Sequence, residues 1–109
     1  MKRPKYGNKK VTFQGIKFDS KREMHRYLVL KDMEKRGEID RLSLQVPFIL
    51  WGSKQEIRTP TGRPMKYVAD FVYYRDGERF IEDSKGYPTP EYKIKKAILL
   101  AQGIEIIEV

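Results

Sequence analysis

Residues 66–86 read KYVADFVYYRDGERFIEDSKG, with two β-rich runs on either side of the pair Asp76-Gly77. An Asp-Gly pair between such runs is the strongest short-range signal of a β-hairpin, because the two-residue turn needs positive φ angles. If these two residues form the turn, the numbers of paired residues add up to 153, and Asp70 faces Asp83. The segment therefore predicts a hairpin with two opposed carboxylates.

Opposed carboxylates suggest a metal site. Their Cβ atoms would lie about 4.5–5.5 Å apart, where like charges are destabilising unless something offsets them. Lys85 follows Asp83 by two residues and so shares its face of the strand. Carboxylates that bind Mg²⁺, with a cation to orient water and stabilise developing negative charge, would suit phosphodiester hydrolysis. The alternative is a plain Asp83–Lys85 ion pair with a solvated Asp70, in a chain of which 35% is charged.

Before the hairpin, the pattern predicts two very short strands in residues 11–18 and a helix over about 20–35. Ser20 and Glu23 form a capping box at the helix start, and Gly37 ends it. The capping role competes with any metal contact by Glu23. The expected apolar stripe of this helix consists of Met24, Tyr27, Leu28 and Leu30.

Residues 40–51 alternate at period two, which is typical of a strand, and Pro47 places it at an edge. The row expected on one face consists of Leu42, Leu44, Val46, Phe48 and Leu50. Gln45 faces away from this row and either reaches the site or a phosphate, or is simply solvated. The following passage, GSKQEIRTPTGRP, is either a connecting loop or a DNA-facing excursion of the sheet.

A second helix is expected over about 90–102, ended by Gly103 and followed by a last apolar strand. The residues expected to face inward are Ile94, Ala97, Ile98 and Ala101. Lys93 and Lys96 lie together on another side, where they either contact the DNA backbone or form a solvated face. Glu82 points to the opposite face from Asp83, which favours a structural or solvated role.

The length and charge of the chain indicate one domain that binds a polyanion. The 109 residues suffice for a single modest core, and the net charge of +8 favours nucleic acid first and an anionic membrane second. Residues 1–10, which include Lys9 and Lys10, carry five basic side chains. We expect a flexible basic arm that gains order on DNA, or else a solvated tail, followed by a single domain over 11–109.

Several classes of protein are excluded by composition. The absence of cysteine excludes disulfide frameworks and thiol nucleophiles, and the single His25 excludes a multi-histidine metal cluster. No segment has the apolar length of a membrane span or the apolar core of a signal peptide. We therefore expect an intracellular protein with no membrane partner.

The order of acidic residues resembles that of a known superfamily. A helical Glu23, then Asp70 in YVADF, then Asp83-Ser84-Lys85 in IEDSKG resembles the PD-(D/E)XK nucleases. The succession FDSKREMHRY, LQVPF, KYVADF, EDSKG and a lysine-rich helix is similar to a family of small bacteriophage-encoded proteins taken to be endonucleases. Ala69, where the superfamily often has proline before the first aspartate, is a departure.

This resemblance implies an α/β fold with a restriction-endonuclease-like α-β-β-β-α-β core, in which helices flank a mixed sheet. It also implies that Asp70, Asp83 and Glu23 hold Mg²⁺ or Mn²⁺, while Lys85 assists the attacking water. Holliday-junction resolvases and transposon endonucleases have such cores. The expected function is a Mg²⁺-dependent endodeoxyribonuclease in phage DNA replication, recombination or processing, acting in the host cytoplasm.

The expected partners are DNA and either a second copy of the chain or a larger phage DNA-processing complex, because one small domain covers little DNA. Two alternatives remain. A non-catalytic nucleic-acid-binding module of the same fold would use the carboxylates for structure alone. A scaffold protein of a phage particle would use its charge to bind partners other than DNA.

Overall fold

The fold is described from a computed structural model, which covers residues 9–84 and 88–109. The elements in chain order are β1 (Val11–Phe13), β2 (Ile16–Phe18), α1 (Lys21–Lys35), β3 (Asp40–Ile49), β4 (Lys66–Arg75), β5 (Glu78–Asp83), α2 (Pro90–Ala101) and β6 (Ile107–Glu108). Lys85 and the first eight residues of the predicted basic arm lie outside the described residues. No helix in the described ranges is long and apolar enough to cross a membrane.

The main sheet contains four strands in the order β3-β4-β5-β6. The first three strands are antiparallel, and β6 runs parallel to β5 after the crossover through α2. The β1–β2 hairpin forms a separate two-stranded sheet. The predicted order α-β-β-β-α-β and the mixed sheet are therefore confirmed, and β3 with Pro47 is an edge strand as expected.

Local sequence signals set the helix ends. Ser20 Oγ accepts a hydrogen bond from the Glu23 backbone N–H at 3.1 Å, as the first half of a capping box requires. Thr89 Oγ1 accepts in the same way from the Tyr92 N–H, also at 3.1 Å, and Pro90 occupies the first turn of α2. Gly37 and Gly103 follow the helices with φ of 78° and 85°, where a side chain would add strain.

The described residues form two core clusters, one under each helix. The α1 cluster contains Phe18, Tyr27, Leu30, Ile39, Phe71 and Tyr73, and the α2 cluster contains Leu50, Tyr67, Ala69, Val72, Ile81, Tyr92, Leu99 and Ile106. Phe71 and Val72 are neighbours in β4 but belong to different clusters, as alternation along a strand requires. The two helices therefore flank the sheet.

Three predictions of which side chains face inward are wrong or incomplete. In α2, Ile94 is 61% exposed and both alanines are exposed, whereas Tyr92 and Leu99 are buried. Tyr92 can face inward because its hydroxyl donates to Glu108 Oε2 at 2.7 Å, which removes the cost of burying it. The same face carries Leu99, seven residues later, since this spacing is two helical turns.

In α1, Leu28 is exposed, and the buried line is Glu23, Tyr27 and Leu30. The row expected on one face of β3 is divided between the clusters. Leu42 and Leu44 pack against the α1 cluster, whereas Val46 and Phe48 pack against the α2 cluster. Residues two positions apart in a regular strand share a face. Leu44 and Val46 do not, so β3 is irregular between them.

The passage between β3 and β4 is an ordered excursion of the sheet. The chain turns back twice, with hydrogen bonds from Gly52 N to Gln55 O at 2.7 Å and from Thr59 N to Arg63 O at 2.8 Å. Isolated bridges join Trp51 to Glu56 and Arg58 to Pro64. Of the two structural readings of GSKQEIRTPTGRP, the excursion is therefore observed; whether it faces DNA stays a prediction.

Candidate active site

The predicted hairpin register is confirmed. Pairing runs from Arg75↔Glu78 next to the turn to Phe71↔Glu82. The regular pairs end there, and the next positions on β4 and β5 are Asp70 and Asp83. Both aspartates are buried: Asp70 is 6% exposed and Asp83 is 0% exposed. The local turn therefore delivers two buried acids to neighbouring strands.

The alternation of side chains is interrupted at Asp70. Tyr67 and Ala69 belong to the α2 cluster, whereas Phe71 and Tyr73 belong to the α1 cluster, although all four would share a face of a regular strand. On the neighbouring β3 the same change of side occurs at Gln45, whose φ is 53°. Leu44↔Phe71 and Val46↔Ala69 pair on either side of these two residues. Asp70 thus lies where the sheet passes from one helix layer to the other.

Hydrogen bonds hold both aspartates. Asp70 Oδ2 accepts from the Ser84 backbone N–H at 2.9 Å, which ties β4 to the end of β5. Asp83 Oδ2 accepts from the Tyr67 hydroxyl. The Ser84 hydroxyl is buried at the same place and has no hydrogen-bond partner among the described residues. The carboxylates are therefore oriented by groups on the two strands that carry them.

Glu23 brings a third carboxyl group from α1. It is 3% exposed and its Oε1 accepts from Gln45 Nε2 at 3.0 Å. Burial, followed by the negative charge of Asp70, raises the pKa of Glu23 to about 7; Asp19 and Asp83 add to the rise, and the Asp19 backbone N–H opposes it. Glu23 therefore shares the electrostatic environment of both aspartates. Gln45 contacts Glu23 rather than being simply solvated, and its contact with DNA stays a prediction.

The α2 layer reaches the same place through Tyr92. Burial, the hydrogen bond to Glu108 and the charge of Asp83, in that order, raise the pKa of the Tyr92 hydroxyl. Its partner Glu108 also forms an ion pair with Lys96 at 3.3 Å, and the hydrogen bond from Tyr92 lowers the pKa of Glu108. The aspartates are thus close enough to influence groups from both helices.

The predicted metal ligands influence one another electrostatically, but they do not form a ready-made metal site. Within residues 9–84 and 88–109, no group of three His, Cys, Asp or Glu side chains is placed to hold a metal ion by itself. Lys85, the predicted partner of the attacking water, lies outside the described residues. The structure therefore brings together Glu23, Asp70 and Asp83 and leaves the role of Lys85 as a prediction.

The predicted DNA-contacting lysines occupy different environments. Lys93 and Lys96 line one surface cleft together with Tyr92 and Glu108, as expected for residues on one side of α2. Lys93 is exposed, whereas Lys96 is tied to Glu108. Lys9 and Lys10 are exposed ahead of β1. Their contact with DNA stays a prediction.

Sequence reasoning missed the groups that support the acids. Regular alternation puts Tyr67 and Asp70 on opposite faces, so only the change of side at Asp70 brings the Tyr67 hydroxyl to Asp83. Glu82 was expected to be structural or solvated. It is buried in a bidentate ion pair, in which Arg26 Nε donates to Oε1 at 2.8 Å and Arg26 Nη2 to Oε2 at 2.7 Å. No local pattern links positions 26 and 82.

Comparison with known proteins identifies a family. No curated protein and no solved structure matches this chain. Residues 3–107 match the family DUF1064, described as a protein of unknown function. Because the match spans nearly the whole chain, including every residue of the acidic site, the protein belongs to the DUF1064 family.

Proposed function

We propose that this protein is a metal-dependent endonuclease of the PD-(D/E)XK type that hydrolyses DNA phosphodiester bonds. The observation that carries the proposal is the convergence of three buried carboxyl groups, from α1, β4 and β5, where the sheet changes side. The order of these elements and the resemblance of YVADF and IEDSKG to the superfamily support the same conclusion.

The donor set fits a hard divalent cation. Burial first, and the negative charges of Asp70 and Asp83 after it, raise the pKa of Glu23, so the charged form is costly in the absence of a cation. Mg²⁺ is usually held by one or two carboxylates and completes its shell with waters and substrate phosphates, so Asp70 and Asp83 suffice as protein ligands. The superfamily resemblance implies Glu23 as a third ligand, which would have to move toward the aspartates to reach the same ion. When bound, Mg²⁺ or Mn²⁺ would stabilise the negative charge that develops on the phosphate oxygens.

The surrounding residues keep these acids in position. The Ser84 N–H orients Asp70, and the Tyr67 hydroxyl orients Asp83. Gln45 holds Glu23 by donating to Oε1. Preorganised groups of this kind lower the cost of reorganisation during reaction. Lys85, two residues after Asp83, would then orient the attacking water, as the superfamily resemblance implies.

A basic cleft beside the acids suits a phosphate backbone. The cleft has a volume of about 560 Å³ and is lined by Arg63, Lys66, Tyr67 and Tyr92, and by Lys95 and Glu91, which form an ion pair at 3.0 Å. Tyr67 connects it directly to Asp83. Together with the net charge of +8, this arrangement favours DNA as the substrate, because its phosphates would exchange counterions for these cations.

The test is cleavage of labelled duplex, single strand, flap and four-way junction DNA in Mg²⁺, Mn²⁺ or EDTA. The matched variants are Asp70→Asn, which retains an oxygen to accept from Ser84 N–H, and Asp32→Asn, which removes an exposed carboxylate of α1. We expect metal-dependent cutting by the wild type and Asp32→Asn, and none by Asp70→Asn.

A different result would identify the alternative functions. If the protein cuts no substrate and its affinity for DNA is the same in EDTA as in Mg²⁺, it is a non-catalytic nucleic-acid-binding module. A protein that neither cuts nor binds any of these DNAs would favour a scaffold role. Circular dichroism of each variant shows whether a lost activity reflects a lost fold.

A further inference from the structure

The excursion between β3 and β4 carries a half-exposed tryptophan. The Trp51 side chain is 51% exposed, although a large aromatic ring gains free energy from burial. Leu50 is fully buried in the α2 cluster, so its neighbours Ile49 and Trp51 point to the opposite face. Val68 lies on that face for the same reason, between the buried Tyr67 and Ala69.

We call Ile49, Trp51, Lys66 and Val68 the outer face of the β3–β4 hairpin. All four residues are exposed, and Lys66 pairs directly with Ile49 across the strands. This face therefore combines apolar surface with a cation. Such a combination differs from the α2 cluster on the other side of the same strands, which is apolar and closed.

The backbone around the tryptophan is hydrogen-bonded to two other segments. Its N–H donates to Gln102 Oε1 at 2.7 Å, at the end of α2, and a bridge joins Trp51 to Glu56. Gln102 Nε2 also donates to Ile49 O at 3.4 Å. Because these contacts fix the backbone at Trp51, a ligand that stacks on the ring would lose little affinity to ordering the protein.

Positive charge predominates in the segment that carries the ring. Residues 50–66 contain four basic side chains and one acidic one. The acidic Glu56 is neutralised by Arg58 at 2.6 Å. Lys54, Arg63 and Lys66 form no ion pair with any described residue, so their charge is available to a polyanion. An exposed aromatic ring among such cations is the arrangement used by proteins that bind single-stranded nucleic acid.

We propose that the outer face binds an unpaired DNA strand, with a base stacked on Trp51 and the phosphates beside Lys54, Arg63 and Lys66. Within a duplex, neighbouring base pairs cover both faces of every base, so an exposed ring selects unpaired bases. Trp51 lies six residues beyond Gln45 and hence about 20 Å from the acidic site. This inference rests on the proposed function and names a substrate with a single-stranded segment; Arg63 and Lys66 also line the cleft beside the acids, whereas Trp51 does not, so Trp51-dependent binding can be measured apart from cleavage.

Intrinsic fluorescence provides the test, because the chain has one tryptophan. The full chain in EDTA is titrated with an oligothymidylate of about 12 nucleotides, enough for one site, and with a long blunt duplex at equal nucleotide concentration. We expect saturable quenching by the single strand and little by the duplex. Equal quenching by both, or an emission that changes with protein concentration alone, would contradict the proposal; the latter would indicate contact with a second copy.

Variants separate stacking from general charge. Trp51→Ala should weaken binding of labelled oligothymidylate about tenfold and Trp51→Phe much less, whereas Val29→Ala, which trims a side chain of 48% exposure on α1, should have no effect. Arg63→Ala should reduce the salt dependence of single-strand binding. Wild-type affinity in Trp51→Ala overturns this proposal even if the protein cuts DNA. If the wild-type protein binds the single strand through Trp51 but cuts no DNA, only the nuclease proposal is overturned.

Discussion

Glu82 and Asp83 are consecutive buried acids on β5, yet their surroundings differ. Glu82 accepts two hydrogen bonds from Arg26 and one from the Tyr73 hydroxyl, so its charge is balanced within the α1 layer. Asp83 accepts from Tyr67 and contributes, with Asp70, to the rise in the pKa of Glu23. The first arrangement serves stability, and the second concentrates negative charge in a way that suits a cation. Variants of the residues around each acid test this contrast.

The largest expected effect is on cleavage. Asp83→Asn keeps an acceptor for the Tyr67 hydroxyl but removes a proposed ligand charge, so the rate should fall at least about 100- to 1000-fold, the scale for losing one transition-state contact. Glu82→Gln should retain cleavage within a few-fold under conditions where it is folded. Initial rates in Mg²⁺ measure both. Equal losses in the two variants would remove the distinction between the acids.

The second effect is a pH dependence of stability in EDTA. The pKa of Glu23 in the folded state is about 7 against an ordinary 4.5, so the folded state binds the proton more tightly. Protonation of Glu23 therefore adds roughly 3 kcal/mol to the free energy of unfolding. This contribution is complete below pH 4.5 and is lost as the pH rises through about 7.

Urea unfolding across this range measures that change. Glu23→Gln should lack this loss and be more stable than the wild type above pH 7. Glu105→Gln, which alters an exposed carboxyl group, is the matched control and should keep the wild-type slope. A wild-type slope in Glu23→Gln would show that the folded state does not favour the protonated form.

The third effect concerns the balanced side of β5. Arg26→Met leaves Glu82 buried without its cation and should lower the free energy of unfolding by about 2–4 kcal/mol. Lys31→Met, which breaks the exposed pair with Glu34, should cost less than about 1 kcal/mol. Adding Glu82→Leu to Arg26→Met should recover much of the loss. A small effect of Arg26→Met would mean that Glu82 does not depend on this ion pair.

The smallest effect tests the contact between Gln45 and Glu23. Gln45→Ala removes the donor to Glu23 Oε1 and should cost about 1 kcal/mol near pH 8, where the carboxylate is charged. The cost should shrink near pH 5, because protonated Glu23 gains less from that donor. Gln55→Ala, an exposed glutamine of the excursion, is the control for urea unfolding. A cost that does not vary with pH would separate Gln45 from the charge of Glu23.

Much of the architecture follows from local signals. The Asp76-Gly77 turn sets the register of β4 and β5, because a two-residue loop leaves no freedom in which residues face each other. Ser20 with Glu23 begins α1, and Gly103 with a positive φ ends α2. These features depend on residues that are close in the chain, so their spacing is visible without any tertiary contact.

The inward face of α2 was not predictable in the same way. Its aliphatic spacing indicated Ile94, but the buried residue is Tyr92, whose hydroxyl needs Glu108 from the last strand. That partner lies sixteen residues away. A helical pattern reports which residues share a face, but the helix packs the face whose polar groups can be satisfied.

By itself, the sequence determined the hairpin register, the helix starts and the edge position of β3, and it proposed Glu23, Asp70 and Asp83 as candidate site residues. Only the tertiary structure decided that the sheet changes side at Gln45 and Asp70, which brings Tyr67 to Asp83 and gives Glu23 two acidic neighbours. It also decided that Arg26 neutralises Glu82. The physical reason is that turns and caps are short-range interactions, whereas burial and charge balance depend on segments that meet only when the core is packed.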